Sequence, residues 1–228
     1  MFRQLISFLL LLKVKCLARL FFRFETQWPN NNRQLPWNEV RLIVFLNHTS
    51  LYEPLFLGIL PTWFLWQLSK RMVAPGADKT LNRPLVGLFY KLASPGMVSI
   101  SRKRDDTWQQ FMDSIVSDAI IVIIPEGRMK RSNGLDLNGN KMTVKGGVAD
   151  ILKELHSGKM LIALSGGLHH VHVPGEYRVR LFKTLHMRIE QMDIDTYKAQ
   201  FGSDVQSPEW RKAVIANLQQ RLENDIPG

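Results

Sequence analysis

Short apolar runs with polar residues at both ends recur along the chain, and each predicts a buried strand. Such a run is typical of a strand that is covered on both faces of a sheet. The clearest runs are residues 41–46, 119–124 and 160–164, while residues 97–101 are predicted to be a strand because apolar and polar residues alternate there. Residues 63–68 and 72–74 are also apolar, and we interpret them as strand-like or interfacial.

Between these runs, apolar residues recur at helical spacing. Proline near the first position supports a helix start at residues 82–92, and acidic residues in the first turn support one at 105–117. Further helices are predicted at residues 55–60, 146–156 and 208–224, residues 75–80 are predicted to be a loop, and shorter strands are predicted after 166 up to 193. Strands that alternate with helices predict an α/β fold with a largely parallel central sheet flanked by helices.

The first 26 residues follow a different pattern. They contain five basic residues and no acidic residue before Glu25, and only nine uncharged residues separate Arg3 from Lys13. A spanning helix needs roughly 20 apolar residues, so this stretch alone is too short to cross a bilayer. From residue 13 to 24, a basic face and a phenylalanine-rich face predict an amphipathic helix.

We therefore predict two parts of the chain: residues 1–26 as an N-terminal membrane helix lying in the interface, and residues 27–228 as the α/β domain. The alternative is a helix docked on the protein's own core. Residues 27–38 are polar and contain two prolines, and they are predicted to be the linker.

Composition narrows the class of partner. The chain has 228 residues, one cysteine and a net charge of +10. A single cysteine excludes an intramolecular disulfide framework. The positive charge favours nucleic acid, anionic head groups or phosphorylated substrates, unless it is only a solvated surface. Because the basic residues cluster in the apolar N-terminal segment and at strand ends, we expect lipid and phosphate and no nucleic acid.

Three of the predicted strands end in residues that carry chemistry. His48 follows the first strand with Glu53 five residues later, Arg102 ends another strand, and Glu126 stands in the Pro-Glu-Gly sequence after a third. Parallel strands bring their carboxyl ends to one edge, so we expect these residues in one cleft. His48 is placed to take a proton from an attacking hydroxyl, with a carboxylate on its other ring nitrogen. Arginine forks suit phosphate, which makes Arg102 and Arg128 candidate contacts.

The order and spacing of these blocks resemble those of the glycerolipid acyltransferases typified by 1-acylglycerol-3-phosphate acyltransferase. The matching residues are Asn47, His48 and Glu53 in the first block, 96–102 ending in Arg102 in the second, Pro125, Glu126 and Gly127 followed by Arg128 in the third, and, loosely, 161–174 in the fourth. The resemblance covers roughly residues 40–175.

Two departures from the family pattern matter. Glu53 stands where the family has Asp, and Arg128 stands where it has Thr, with Met129 at the place of the usual Arg. The phosphate contact therefore remains open among Arg128, Lys130 and Arg131. A histidine with Glu at this offset also resembles the acyltransferases that complete lipid A, which lack such a Pro-Glu-Gly block.

The resemblance implies a membrane-associated O-acyltransferase, with residues 27–228 as the acyltransferase domain. His48 would be the general base and Glu53 its partner, and the acyl donor would be acyl-CoA or acyl carrier protein. The acceptor would be a lysophospholipid, first of all lysophosphatidate, with no cofactor or metal required. The residues implied in phosphate or substrate binding are Arg102, Glu126, Gly127, Arg128, Lys130 and Arg131.

The same resemblance implies a monotopic protein on the cytoplasmic face of a membrane. The alternatives are a lipid A-type or lyso-aminolipid acyltransferase and a non-catalytic lipid-binding protein. Two local patterns have simpler explanations. Ser50 and Glu53 also fit a capping box, although Pro54 fits better at the first helical position than at the fourth. His169, His170 and His172 lack a carboxylate or cysteine at metal-binding spacing, so no metal site is predicted.

Overall fold

A mostly parallel sheet forms the centre of the protein in a computed structural model, which describes residues 2–29, 36–101 and 105–228. Within these residues the sheet has seven strands. They are β1 Arg23–Gln27, β2 Val40–Leu46, β3 Met72–Ala77, β4 Gly96–Ile100, β5 Ile120–Ile123, β6 Lys159–Ser165 and β7 Thr184–Asp193. Their order across the sheet is β1-β7-β6-β2-β5-β3-β4. The predicted α/β class is confirmed.

Five neighbouring strands, from β6 to β4, run parallel, while β7 is antiparallel to β6 and β1 is parallel to β7. The carboxyl ends of β2, β5 and β6 consequently lie at one edge of the sheet. The chain leaves β6 at this edge and returns to it at the start of β7. The same edge receives the end of the N-terminal helix, because β1 begins there.

Helices cover both faces of the sheet. They are α1 Phe2–Phe21, α2 Thr62–Arg71, α3 Asp78–Leu81, α4 Pro84–Ala93, α5 Asp106–Asp113, α6 Gly147–Glu154, α7 Ile194–Ala199 and α8 Pro208–Asn224. On one face, Phe111, Leu152, Trp210 and Leu218 are fully buried in a cluster with the sheet. On the other, Leu11 of α1 packs with Phe64, Leu65 and Leu68 of α2.

Helix α1 is docked along the body of the protein. The buried Ser7 hydroxyl donates to the Ala93 carbonyl at 2.7 Å, and the Arg19 guanidinium donates to the Gly58 carbonyl at 2.6 Å. The outer side of the helix nevertheless exposes apolar residues, namely Phe2, Leu5, Leu9, Leu17 and Leu20. Among the described helices, none is long and apolar enough to cross a membrane.

Several predicted elements differ from the structure. Helix α1 ends at Phe21 and not at residue 24, and β1 follows at once, so the boundary predicted between residues 26 and 27 falls within a strand. Residues 63–68 belong to helix α2 and not to a strand, and residues 75–80 contain the end of β3 and the start of α3. One ten-residue strand, β7, replaces the shorter strands predicted before residue 193. Half of the predicted linker, residues 30–35, lies outside the described residues.

Candidate active site

The turn after β2 is shaped by Asn47, which has a positive φ of 65°. Asparagine is one of the few residues that tolerate this left-handed conformation, because its short side chain makes local hydrogen bonds. The Asn47 side-chain amide donates to the Ser165 carbonyl at the end of β6 at 2.7 Å. This bond joins two adjacent strand ends and directs the chain into His48.

Glu53 begins a 3-10 helix, Glu53–Ile59, and contacts both the side chain and the backbone of the turn. Its Oε2 lies 2.5 Å from Nδ1 of His48, while its Oε1 accepts the backbone N–H groups of Thr49 and Ser50 at 2.7 and 3.3 Å. The capping of the turn and the contact with histidine therefore coexist, one on each carboxylate oxygen. Glu53 is one methylene longer than the Asp of the family pattern, and its carboxylate makes the contact with the imidazole.

Glu126, which follows β5, accepts hydrogen bonds from the backbone of the same turn. Its Oε1 accepts the Asn47 backbone N–H at 2.7 Å. The His48 backbone N–H donates to both of its oxygens, Oε1 at 3.3 Å and Oε2 at 3.2 Å. The side chain is only 2% exposed, so it faces the backbone and not open solvent. Burial raises the pKa of Glu126 to about 7, against the opposing effects of His48 and of the two backbone N–H groups.

His48 sits between these two carboxylates, with 15% of its side chain exposed. Burial by itself lowers its pKa, but the charge and hydrogen bond of Glu53, with a smaller effect of Glu126, raise the pKa above its ordinary value. Because Glu53 occupies Nδ1, the proton-accepting position left for another molecule is Nε2.

The basic residues proposed for phosphate binding have separate surroundings. Arg128 forms an ion pair with the buried Asp136, whose carboxylate also accepts the backbone N–H groups of Asn138 and Asn140 and the Asn140 side-chain amide. The Lys130 ammonium lies 3.5 Å from Oδ1 of Asn47, beside the turn, whereas Arg131 donates to the Pro174 carbonyl at 2.9 Å.

Two further positions complete the set of predicted phosphate-binding residues. Gly127 has a φ of +67°, and a Cβ built there has no atom within 4 Å. Its conformation, and not a steric contact, therefore favours glycine. Arg102 lies outside the described residues.

A cavity of about 280 Å³ opens beside Glu126. Its lining includes the ion pair of Arg128 with Asp136, together with Lys141 and Lys145. This side of Glu126 is thus basic, while its carboxylate oxygens contact the turn that carries His48.

Residues 166–183, which we call the site strap, cross this edge between β6 and β7. The Leu168 N–H donates to the Thr49 hydroxyl at 2.8 Å, and Nε2 of His169 is 2.9 Å from the Lys130 carbonyl. The rings of Tyr52 and His172 are 4.6 Å apart. The sequence pattern did not predict that this segment touches both the His48 turn and the Lys130 loop, because these contacts join segments that are far apart in the sequence.

The three histidines of the strap serve as hydrogen-bonding groups in the fold. Nε2 of His170 contacts the Thr184 carbonyl, and Nε2 of His172 contacts the Glu176 carbonyl, at 2.7 and 3.0 Å. Within the described residues, no group of three or more His, Cys, Asp or Glu side chains is arranged to hold a metal ion.

Comparisons with known proteins identify the family and support the fold. A protein-family model described as Acyltransferase matches residues 24–166, which is more than half of the chain. Among seven matching chains of solved structures is the 1-acyl-sn-glycerophosphate (LPA) acyltransferase PlsC from Thermotoga maritima. It superposes with a TM-score of 0.57 at 17% identity, covering 93% of this chain and 78% of that chain, and so supports the fold. No curated protein matches the chain significantly. The chain belongs to the acyltransferase family, as the four sequence blocks predicted.

Proposed function

We propose that this acyltransferase moves a fatty acyl group from a thioester donor to the hydroxyl of a lysophospholipid, with lysophosphatidate as the first candidate acceptor. The observation that carries the proposal is the contact of His48 Nδ1 with Glu53 Oε2 at 2.5 Å. It orients the imidazole and leaves Nε2 for the acceptor hydroxyl, which is the arrangement needed for general-base catalysis.

In the proposed reaction, Nε2 of His48 takes the proton as the acceptor oxygen attacks the thioester carbonyl. The tetrahedral intermediate then collapses, the carbon–sulfur bond breaks, and the imidazolium returns the proton to the departing thiolate. Glu53 stabilises the imidazolium that forms between the two steps. The acyl group passes directly from donor to acceptor, so an enzyme nucleophile is not required.

We propose different roles for the residues of the third block. Glu126 is a positioning residue, because its oxygens hold the backbone of the turn and are buried. Lys130 is the basic residue of this loop closest to the turn and is our first candidate for the acceptor phosphate. Arg128, held by Asp136, and Arg102 and Arg131 are further candidates.

The membrane would supply the lysophospholipid acceptor. The exposed apolar residues of α1 support a peripheral or monotopic association, which we place on the cytoplasmic face where thioester donors are made. Acyl-CoA and acyl carrier protein are both candidate donors. The apolar segment from residue 55 to 66, which follows Glu53, is the proposed entry for the acyl chain.

The test is a transfer assay with the purified protein, using both donors and a panel of lysophosphatidate, other lysophospholipids, lyso-aminolipids and lipid A precursors. His48→Ala is expected to lose transfer by about a thousandfold, because the base is gone while the fold remains. The control is His156→Ala, an exposed histidine at the opposite edge of the sheet, which is expected to retain activity.

Two results would count against this function. Full activity of His48→Ala with a normal unfolding transition would refute the mechanism. Tight lysolipid binding with no turnover for any donor would instead indicate a lipid-binding protein that retains the fold.

A further inference from the structure

The outer part of the site strap, residues 177–183, combines exposed apolar side chains with positive charge. Tyr177 is fully exposed, Phe182 is 67% exposed and Leu181 is 43% exposed. Arg178, Arg180 and Lys183 lie between or beside them. Exposed aromatic and aliphatic side chains of this size, interleaved with cations, are uncommon on a surface that faces only water.

This segment continues the apolar side of α1. The Phe182 N–H donates to the Phe21 carbonyl at 2.7 Å, and the two rings lie 6.1 Å apart, edge to face. Leu17 and Leu20, near the end of α1, are also exposed. Two segments that are distant in sequence thus form one apolar area at the sheet edge that carries His48.

We propose that residues 177–183 form a second bilayer contact, which lies on anionic head groups beside α1 and sets the His48 edge of the sheet on the membrane. The proposal rests on the membrane-associated function proposed above and adds the orientation of the site. Aromatic and leucine side chains favour the boundary between head groups and acyl chains, and the neighbouring arginines and lysine favour anionic lipid.

The same segment is connected to the site. Through Leu168 and His169, the strap is hydrogen-bonded to Thr49 of the His48 turn and to Lys130. A bilayer contact at the outer end of the strap therefore brings the inner end, and the site beneath it, within reach of a lysolipid that stays in the membrane.

A protein partner for the same surface would be an acidic acyl carrier protein, which matches the cations. We favour the bilayer because Phe182 packs against Phe21, so the outer strap adjoins the exposed apolar residues of α1. The experiment below separates the two.

The full-length double variant Tyr177→Ser/Leu181→Ser removes apolar contacts from the outer strap. Its control is Val116→Ser, an exposed apolar residue at the opposite edge of the sheet. We expect flotation with vesicles of phosphatidylcholine and phosphatidylglycerol to show about a tenfold weaker partition for the double variant and no change for the control. Arg178→Glu is expected to weaken partition at least about fivefold on these vesicles and to have no effect on pure phosphatidylcholine.

Transfer is then measured on a long-chain acceptor in vesicles and on a short-chain acceptor dissolved as monomers. The double variant is expected to lose activity only on vesicles. Vesicle binding equal to that of Val116→Ser would overturn the proposal, and so would a loss seen only with carrier-protein donors, which would mark a protein-docking site. Flotation needs no catalysis, so it tests the contact even if the wild-type protein transfers no acyl group.

Discussion

Two buried carboxylates act on His48 at different places, Glu53 on the ring and Glu126 on the backbone. The first raises the pKa of the imidazole, and the second holds the peptide from which the imidazole projects. Removing either one should therefore have a different effect: Glu53 should govern the pH dependence of transfer, and Glu126 the pH dependence of stability.

Glu53→Gln should shift the pH profile of transfer. General-base catalysis needs neutral His48, so the wild-type rate rises with pH through a pKa above the usual value near 6.5. Without the carboxylate charge, the pKa of His48 falls, and the acid limb of kcat moves to lower pH while the maximum drops about a hundredfold. Glu53→Asp keeps the carboxylate charge, so its acid limb should stay closer to that of the wild type and its maximum rate should exceed that of Glu53→Gln. An acid limb that does not shift in Glu53→Gln would contradict the proposed role of Glu53.

Glu126→Gln should flatten the dependence of stability on pH. The pKa of Glu126 is raised from 4.5 to about 7 in the folded protein, so the folded state holds its proton longer than the unfolded chain. The raised pKa contributes about 3 kcal/mol to the free energy of unfolding below pH 4.5. This contribution is lost as the pH rises to about 7. Urea unfolding at pH 5 and pH 7 measures it, with the exposed Glu154→Gln as control; an unchanged slope in Glu126→Gln would exclude the effect.

At the scale of single residues, the sequence predicted the contact between residues that are close together in the chain. His48 and Glu53 are five residues apart, and a strand–turn–helix order is enough to bring them together. The backbone contacts of Glu126 were not predicted, because they depend on how β2 and β5 end beside each other. The pairing of Arg128 with Asp136 depends in the same way on a loop whose shape is set by Asn138 and Asn140.

Among the elements, the turn after β2 is stabilised in a conformation that most residues avoid. Asn47 provides both the positive φ and the hydrogen bond to the Ser165 carbonyl. The two contributions can be separated by substitution. Because this turn carries His48, its stability and the activity of the site should change together.

Asn47→Ala should lower the free energy of unfolding by about 3 kcal/mol, since it loses the hydrogen bond and strains the backbone. Asn47→Gly loses only the hydrogen bond, so its loss should be about 1 to 2 kcal/mol. Equilibrium unfolding in urea compares the two. Equal losses would mean that the left-handed conformation has no energetic role.

The helices and strands that were predicted correctly are those in which the pattern of apolar residues in the sequence matches the pattern of burial in the structure. Strand β5 and the apolar residues 160–164 of β6 were found because both of their faces are covered. Strand β1 was missed because only Phe24 among its five residues is a large apolar residue, as suits an edge strand. The first part of helix α2 was interpreted as strand-like or interfacial because five of the six residues 63–68 are apolar, so a helical spacing is not visible there.

On the scale of the whole molecule, α1 is two-sided. Leu11 is buried in the cluster that includes Phe64 and Leu65, whereas Leu9 is 54% exposed. The two alternatives considered from the sequence, a helix on the protein's own core and a helix in the membrane interface, therefore apply to opposite sides of one helix. The docked side is observed, and the membrane side is part of the proposed function.

Leu11→Ala and Leu9→Ala should separate these two sides. Leu11→Ala should lower the free energy of unfolding by about 3 kcal/mol, because it leaves a cavity in the core. Leu9→Ala should change stability by less than about 0.5 kcal/mol and should weaken vesicle binding. Thermal unfolding and flotation measure the two effects. A negligible loss of stability in Leu11→Ala would show that α1 is separable from the body.

The pairing of β1 with β7 has a consequence for synthesis. Arg23 pairs with Thr184, its partner in the sheet, so the strand that follows α1 stays unpaired until the ribosome has made about 160 further residues. At about 5–20 residues per second, that interval lasts roughly 8 to 30 s. In the first part of it, before α2 and α4 have been made, the nascent chain presents an apolar, basic helix without the elements on which it later packs. The growing polypeptide can therefore meet a bilayer first and complete its sheet there, which would place the enzyme on its substrate membrane during translation.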